Sequence, residues 1–180
     1  MLQVIDYQSD VKTVVTSDDY IPFSFGNSAS VDPTPHYWSS GGSDRQLIEV
    51  AVSSENGVIQ QVVVVLLGAL LHYPDRDSIT YTRLIEGVPI CEMSRWPRFI
   101  DTIDWPKQNY LREEIPFFST IGKSSLAIQF AQKTEMPLGY CAGEVIFGVD
   151  DRGSLLSIEY KPSQVEELGR MLQLWYKGVA

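Results

Sequence analysis

Histidine is scarce in this chain: His36 and His72 are the only two in 180 residues. General-base catalysis near neutral pH and imidazole metal ligation both draw on that side chain first, so both start with little material. Cysteine is equally rare. Cys91 and Cys141 cannot supply a disulfide framework. Each lies in an apolar setting, Pro-Ile-Cys-Glu-Met and Gly-Tyr-Cys-Ala-Gly, where a buried, inert thiol is expected. The chain carries no H-x-x-x-H, C-x-x-C or calcium-loop pattern. It also lacks the G-x-S-x-G and Ser-x-x-Lys nucleophile motifs. Gly41-Gly42-Ser43-Asp44 is not followed by the Lys-Ser/Thr or helix start that a phosphate loop needs. The expectation is a protein with neither cofactor nor metal, and not an enzyme.

Positive charge is also lacking. Acidic residues outnumber basic ones 23 to 14, for a net charge of −9. A nucleic-acid binder needs a cationic footprint against phosphates, so that class is disfavoured. The same balance suits a basic protein partner, because opposite fields speed association. Residues 1–90 hold 11 acids against 4 bases, whereas residues 91–180 hold 12 against 10. Six of those acids (Asp6, Asp10, Asp18, Asp19, Asp32 and Asp44) precede residue 45, with Lys12 the lone base among them, which predicts an acidic face from the N-terminal third. Long apolar runs are missing too: the longest, Val62–Leu71, falls well short of the roughly 20 residues a membrane helix needs. The opening Met-Leu-Gln-Val-Ile-Asp-Tyr has no charged segment leading into an apolar one, so no secretory signal is expected and the compartment reads as cytoplasmic.

What the chain does have is hydrophobic patterning, with 44% hydrophobic and 11% aromatic residues in a length suited to one domain, 1–180. Gln3–Tyr7 and Lys12–Thr16 read as short strands. Ile21–Gly42, with Pro22, Pro33, Pro35 and several glycines, reads as an ordered loop whose aromatics pin to a sheet edge. Leu47–Ser53 and Val58–Leu67 flank Glu55-Asn56-Gly57, the signature of a hairpin, its second strand valine-rich enough to be buried on both faces. A second hairpin follows the same plan: Glu144–Val149, the turn 150–153, then Leu155–Lys161. Superposing Gly57 on Gly153 sets Val50 over Ile146, Ile59 over Leu155 and Val62 over Ile158, which fits either a duplication or two independent hairpins. Ser124–Ala131 is a strand with Leu126, Ile128 and Phe130 on one face.

One helix is clear. Pro162 and Ser163 open it, with Ser163 as N-cap and Glu166 at capping-box spacing. Val165, Leu168, Leu172 and Trp175 form its apolar stripe, with Met171 alongside. The region Asp75–Phe118 is broken by Pro89, Pro97, Pro106 and Pro116, with Pro74 just before it, and short helical turns are expected near Arg95–Ile100 and Lys107–Glu113. The predicted fold is α+β: a mainly antiparallel sheet with two hairpin units, packed against the C-terminal helix.

Candidate chemistry is thin. His36 and His72 lie far apart, and the paired acids Asp150-Asp151 and Glu166-Glu167 are explained by turn and helix-dipole preferences. The stretch Trp96–Trp105, preceded by Arg95, mixes Arg98, Asp101 and Asp104 with two tryptophans, a composition suited to a partner-binding edge or to the core. With the acid pairs Asp18-Asp19 and Asp75/Asp77, the candidate partner-binding residues are Asp18, Asp19, Asp75, Asp77, Trp96, Asp101, Asp104 and Trp105.

Several segments together carry a resemblance. They are Ile21-Pro-Phe-Ser-Phe-Gly26, Trp38 before Gly41-Gly42, Leu47-Ile-Glu-Val-Ala-Val52 running into Glu55-Asn-Gly-Val-Ile59, and Val145–Leu156 leading to the last helix. The pattern resembles small bacterial immunity proteins that neutralise toxins of contact-dependent inhibition or Rhs-type systems. The resemblance implies a non-catalytic acidic protein that covers the active site of a cognate, basic toxin. Two other readings stay open from the residues themselves: a small hydrolase with a carboxylate/histidine site, and a self-associating module that pairs exposed strand edges.

Overall fold

Asn56-Gly57 and Asp150–Gly153 each reverse the chain between two apolar strands, and Gly57 (φ +76°) and Gly153 (φ +79°) occupy the left-handed region that glycine adopts without strain. These two turns organise the molecule. A computed structural model describes residues 1–18, 21, 23–27, 32–42, 45–68, 70–72, 79–96 and 109–178. In chain order its strands are β1 (Val4–Gln8), β2 (Thr13–Thr16), β3 (Phe23–Asn27), β4 (His36–Ser40), β5 (Gln46–Val52), β6 (Ile59–Leu67), β7 (Leu70–His72) and β8 (Thr80–Glu86). They continue with β9 (Val88–Cys91), β10 (Tyr110–Glu113), β11 (Phe118–Ile121), β12 (Leu126–Gln129), β13 (Glu135–Ala142), β14 (Val145–Val149) and β15 (Leu155–Tyr160), followed by helix α1 (Val165–Gly178).

The expected α+β class holds, but the sheet is not single. One six-stranded sheet runs β10-β4-β5-β6-β3-β2, a seven-stranded sheet runs β7-β11-β12-β15-β14-β13-β8, and β1 pairs with β9 alone. Both larger sheets are mixed: β10 is parallel to β4, β7 to β11 and β8 to β13, while the strands between are antiparallel. The two sheets share one apolar cluster, with Phe25 edge-on to Phe147 (ring centroids 5.4 Å apart), Trp38 to Phe130 (5.5 Å), and Phe23 against Tyr160 (5.5 Å). Aromatic pairs in these geometries add about 0.5–1.5 kcal/mol each beyond the area they bury.

Ile21–Gly42 is therefore not a peripheral loop. Phe23, Phe25 and Trp38 are all fully buried, on β3 and β4. The prolines punctuate this segment without breaking it: Pro33 and Pro35 precede β4, where a missing amide costs no ladder bond. Lys107–Glu113 is likewise no helical turn, since Tyr110–Glu113 forms β10; Trp96 closes a turn onto Met93, and residues 97–108 lie outside the described residues. The valine run of β6 is buried on its inner face only: Val62 and Val64 are covered, whereas Val63 and Val65 are half-buried and Gln61 and Leu66 exposed. Ser163 does not form the expected capping box. Its amide and hydroxyl both donate to Glu144 at the head of β14. Leu168 and Met171 of α1 are buried as the stripe requires, but Val165 is exposed.

The hairpin likeness extends to the whole strand order. β2 to β6 lie in the spatial order β4-β5-β6-β3-β2 in one sheet, and β11 to β15 lie in the order β13-β14-β15-β12-β11 in the other. The registers agree as well. Phe25 faces Val62, and Ile128 faces Ile158; Trp38 faces Val50, and Tyr140 faces Phe147. Even the bulge recurs, between Ala51 and Val52 and between Gly148 and Val149. Ile59 thus matches Leu155 and Val62 matches Ile158, as expected. Val50, however, matches Phe147 and not Ile146, because the first turn is one residue longer than the second.

Candidate binding cleft

Strand β2 forms one edge of the six-stranded sheet, and α1 comes to lie beside it. Between them opens a cleft of about 350 Å³. Val15, Thr16 and Ser17 form one wall; Glu167, Arg170 and Met171 of α1 form the other; Glu144 and Tyr160 complete it. Thr13 ties β2 to the opposite sheet through its hydroxyl, which donates to the Ala142 carbonyl (3.3 Å). Pro162 ends β15 and the acidic first turn, Glu166-Glu167, favours the positive end of the helix dipole, which is why the chain leaves the sheet here as a helix.

The polar groups of the cleft are arranged around one buried hydroxyl. Burial pushes the Tyr160 hydroxyl well above its ordinary range, and the carboxylates Glu144 and Glu167 push it further, so it stays protonated. It donates to Glu167 Oε2 at 3.4 Å. Glu144 holds Ser163 through Oε1 and so fixes the start of the helix (Ser163 amide, 2.7 Å). Asp18 directly follows the cleft residue Ser17; it is exposed, and its carboxylate accepts from the Ile21 amide (2.7 Å). Two carboxylates, Glu144 and Glu167, thus line the opening with one guanidinium, Arg170. Such a site attracts cationic groups, and its half-buried walls weaken the screening that solvent would impose.

Of the partner-binding residues singled out in the sequence, none of those described is among the ones that line this cleft; Asp18 is exposed and follows the lining residue Ser17 in the chain. Trp96 is 3% exposed and belongs to the core: its ring stacks on His36 (5.8 Å) and its Nε1 donates to the Tyr37 carbonyl (3.2 Å). Asp19, Asp75, Asp77, Asp101, Asp104 and Trp105 lie outside the described residues. Tyr160, Glu144 and Arg170 escaped the sequence reading, because they lie on three separate elements and no local spacing marks them as neighbours.

Other ionisable groups are committed to structure. Asp32 is 8% exposed, so the N-terminal acids do not all contribute to a face. Its two oxygens accept from Thr34 (amide 2.8 Å) and from the Ser54 amide and hydroxyl (2.8 and 2.6 Å), clamping the β3–β4 connection to the first hairpin turn. Burial alone would raise the pKa of Asp32; the bonds from Ser54 and Thr34 outweigh it and hold the carboxyl below its ordinary value. Burial draws the His36 imidazole below its ordinary value, with the nearby Asp32 charge acting the other way. Glu113 collects Trp38 Nε1 (2.6 Å), Arg95 Nη2 (2.7 Å) and the Met1 amino group. Among the described residues no cluster of three or more His, Cys, Asp or Glu is placed to hold a metal, and no helix is long and apolar enough to cross a membrane.

No family model matches the chain, and no curated protein matches its sequence.

Proposed function

We propose that this is a protein-binding immunity protein, which neutralises a cognate toxin by covering its active site. The observation that carries the reading is the cleft beside β2: Glu144 and Glu167 line it, and the neutral Tyr160 hydroxyl donates to Glu167. A toxin that acts on anionic substrates presents Lys and Arg in its own active site, and carboxylates supply the complementary field. Tyrosine adds a large apolar surface with a polar tip, the property that makes it an interface anchor. The overall excess of 23 acids over 14 bases supports the same pairing by steering encounter.

Co-expression with each product of the genes that flank its own, of which one must be toxic when expressed alone, tests this reading. The expected result is survival of cells that the toxin alone kills, together with co-purification of the two chains in a complex that weakens as salt is raised. Unrescued toxicity and no complex at low salt would refute it.

A further inference from the structure

The two halves of the sandwich match strand for strand, and the match breaks at one place. In the seven-stranded sheet β11 has a neighbour on each side: β12 antiparallel, and β7 parallel with Ser119 facing Leu70, Thr120 facing Leu71 and Ile121 facing His72. Among the described residues its counterpart β2 has β3 alone. Ser119 faces Ile128 in β12 as Val15 faces Phe25 in β3, and Ile128 and Phe25 are themselves counterparts. It follows that Ser119, Thr120 and Ile121 correspond to Val15, Thr16 and Ser17. Those three β2-side residues are the ones that line the cleft. The wall that β2 gives the cleft is therefore the counterpart of the stretch of β11 that β7 meets.

From this we infer that the cleft takes a short extended segment of the partner, which adds to the six-stranded sheet parallel to β2 as β7 adds to β11. The inference rests on the binding reading above and specifies its mode. The first half fills the position from its own chain, because after β6 the backbone turns at Gly68 (φ +69°) and resumes as a strand. The second half does not: after β15 it enters α1, whose Glu167, Arg170 and Met171 wall the position off without occupying it. Main-chain bonds to β2 supply affinity for any extended peptide, and the walls select side chains. Val15 and Met171 suit an aliphatic residue, in keeping with Leu70 in the filled position, which faces Ser119, the counterpart of Val15. Glu144 and Glu167 select Lys or Arg beside it. The partner segment is thus aliphatic followed by basic.

Labelled, end-capped hexapeptides containing Leu-Leu followed by Lys, Arg, Glu or Gly test this by fluorescence anisotropy on the full chain. The Lys and Arg peptides are expected to bind, and the Glu and Gly peptides to bind about tenfold more weakly or worse. Glu167→Lys and Thr16→Arg, the second at an exposed strand position that tolerates the change, should each weaken the Lys peptide by about tenfold. Glu166→Lys, an equal change of net charge outside the cleft, should leave it within about twofold. Amide hydrogen exchange should slow at Val15–Ser17 on binding. Equal binding of the Lys and Glu peptides, equal losses in the Glu166 and Glu167 variants, or slowing confined to other strands would overturn the assignment. The assay needs no toxin, so its outcome is separate from that of the co-expression test.

Discussion

Val4 and Cys91 face each other in the β1–β9 pair, and each reaches past its partner to a hairpin turn of a different sheet. The Val4 amide donates to the Gly153 carbonyl (2.8 Å), and the Cys91 amide donates to the Gly57 carbonyl (2.7 Å). The smallest sheet of the molecule thus joins the turns of the two large ones, and it does so through matching residues.

That joint leaves no room for a side chain. At Gly57 an added Cβ would run into the Cys91 carbonyl oxygen, and at Gly153 into that of Val4. Gly57→Ala and Gly153→Ala are each expected to cost about 2–4 kcal/mol, the sum of left-handed strain and the displaced strand pair. Urea unfolding of the single and double variants measures this. The double variant should depart from additivity by about 0.5 kcal/mol or more, because both changes push on the one Val4–Cys91 pair. Strict additivity would show that the two turns are held independently.

Asp32 clamps the segment that a sequence reading treats as a loop. Asp32→Ala removes the acceptor for two amides and two hydroxyls, from Thr34 and Ser54. The expected loss is about 2–4 kcal/mol, since buried donors left unpaired cost more than a hydrogen bond contributes. Asp32→Asn, which keeps one acceptor oxygen, should lose less. Equal losses in the two variants, read from thermal or urea midpoints, would mean that the carboxylate's hydrogen bonds are not what matters.

How far the chain could be read in advance follows from where its signals are local. The hairpins at Gly57 and Gly153 announce themselves, because turn residues and flanking valines sit within a dozen positions. The mixed sheets do not: β8 pairs with β13 and β10 with β4 across long stretches of chain, and parallel pairing leaves no turn to read. β3 and β4 were hidden by the prolines around them, although Phe23-Ser-Phe25 alternates as a strand should. The cleft was the least visible feature. Glu144 reads as a strand start, though it lies in the turn just before β14, and Glu167 reads correctly as a dipole-favoured first turn; only the folded chain shows that both act on Tyr160.

The two thiols should differ in access more than in chemistry. Burial pushes Cys91 up to about 12, and burial followed by the Glu86 charge also raises half-buried Cys141. Alkylation of the native protein at neutral pH should therefore be slow at both, with Cys141 labelled first and Cys91 only as the protein opens. Mass spectrometry of timed digests gives the order. Early labelling of Cys91 would show that the β1–β9 joint opens more readily than the core on which it rests.

Glu113 gives the fold a defined acid limit. Burial acts to raise its pKa, but bonds from Arg95, the Met1 amino group and Trp38 prevail and hold it at about 2, against an ordinary value of 4.5. Because the folded-state value is depressed, the folded protein binds fewer protons at this site than the unfolded chain does between those two values. The stabilisation is therefore complete above about pH 4.5 and is lost as pH falls towards 2. Glu113→Gln removes the charge that answers Arg95 and the amino group, and is expected to cost about 1–3 kcal/mol at neutral pH. The variant's stability should also fall less steeply with acid than that of the parent. Urea midpoints taken from pH 7 down to pH 3 decide the matter: parallel curves for the two proteins would place the acid sensitivity elsewhere, with Asp32 the next carboxylate to test.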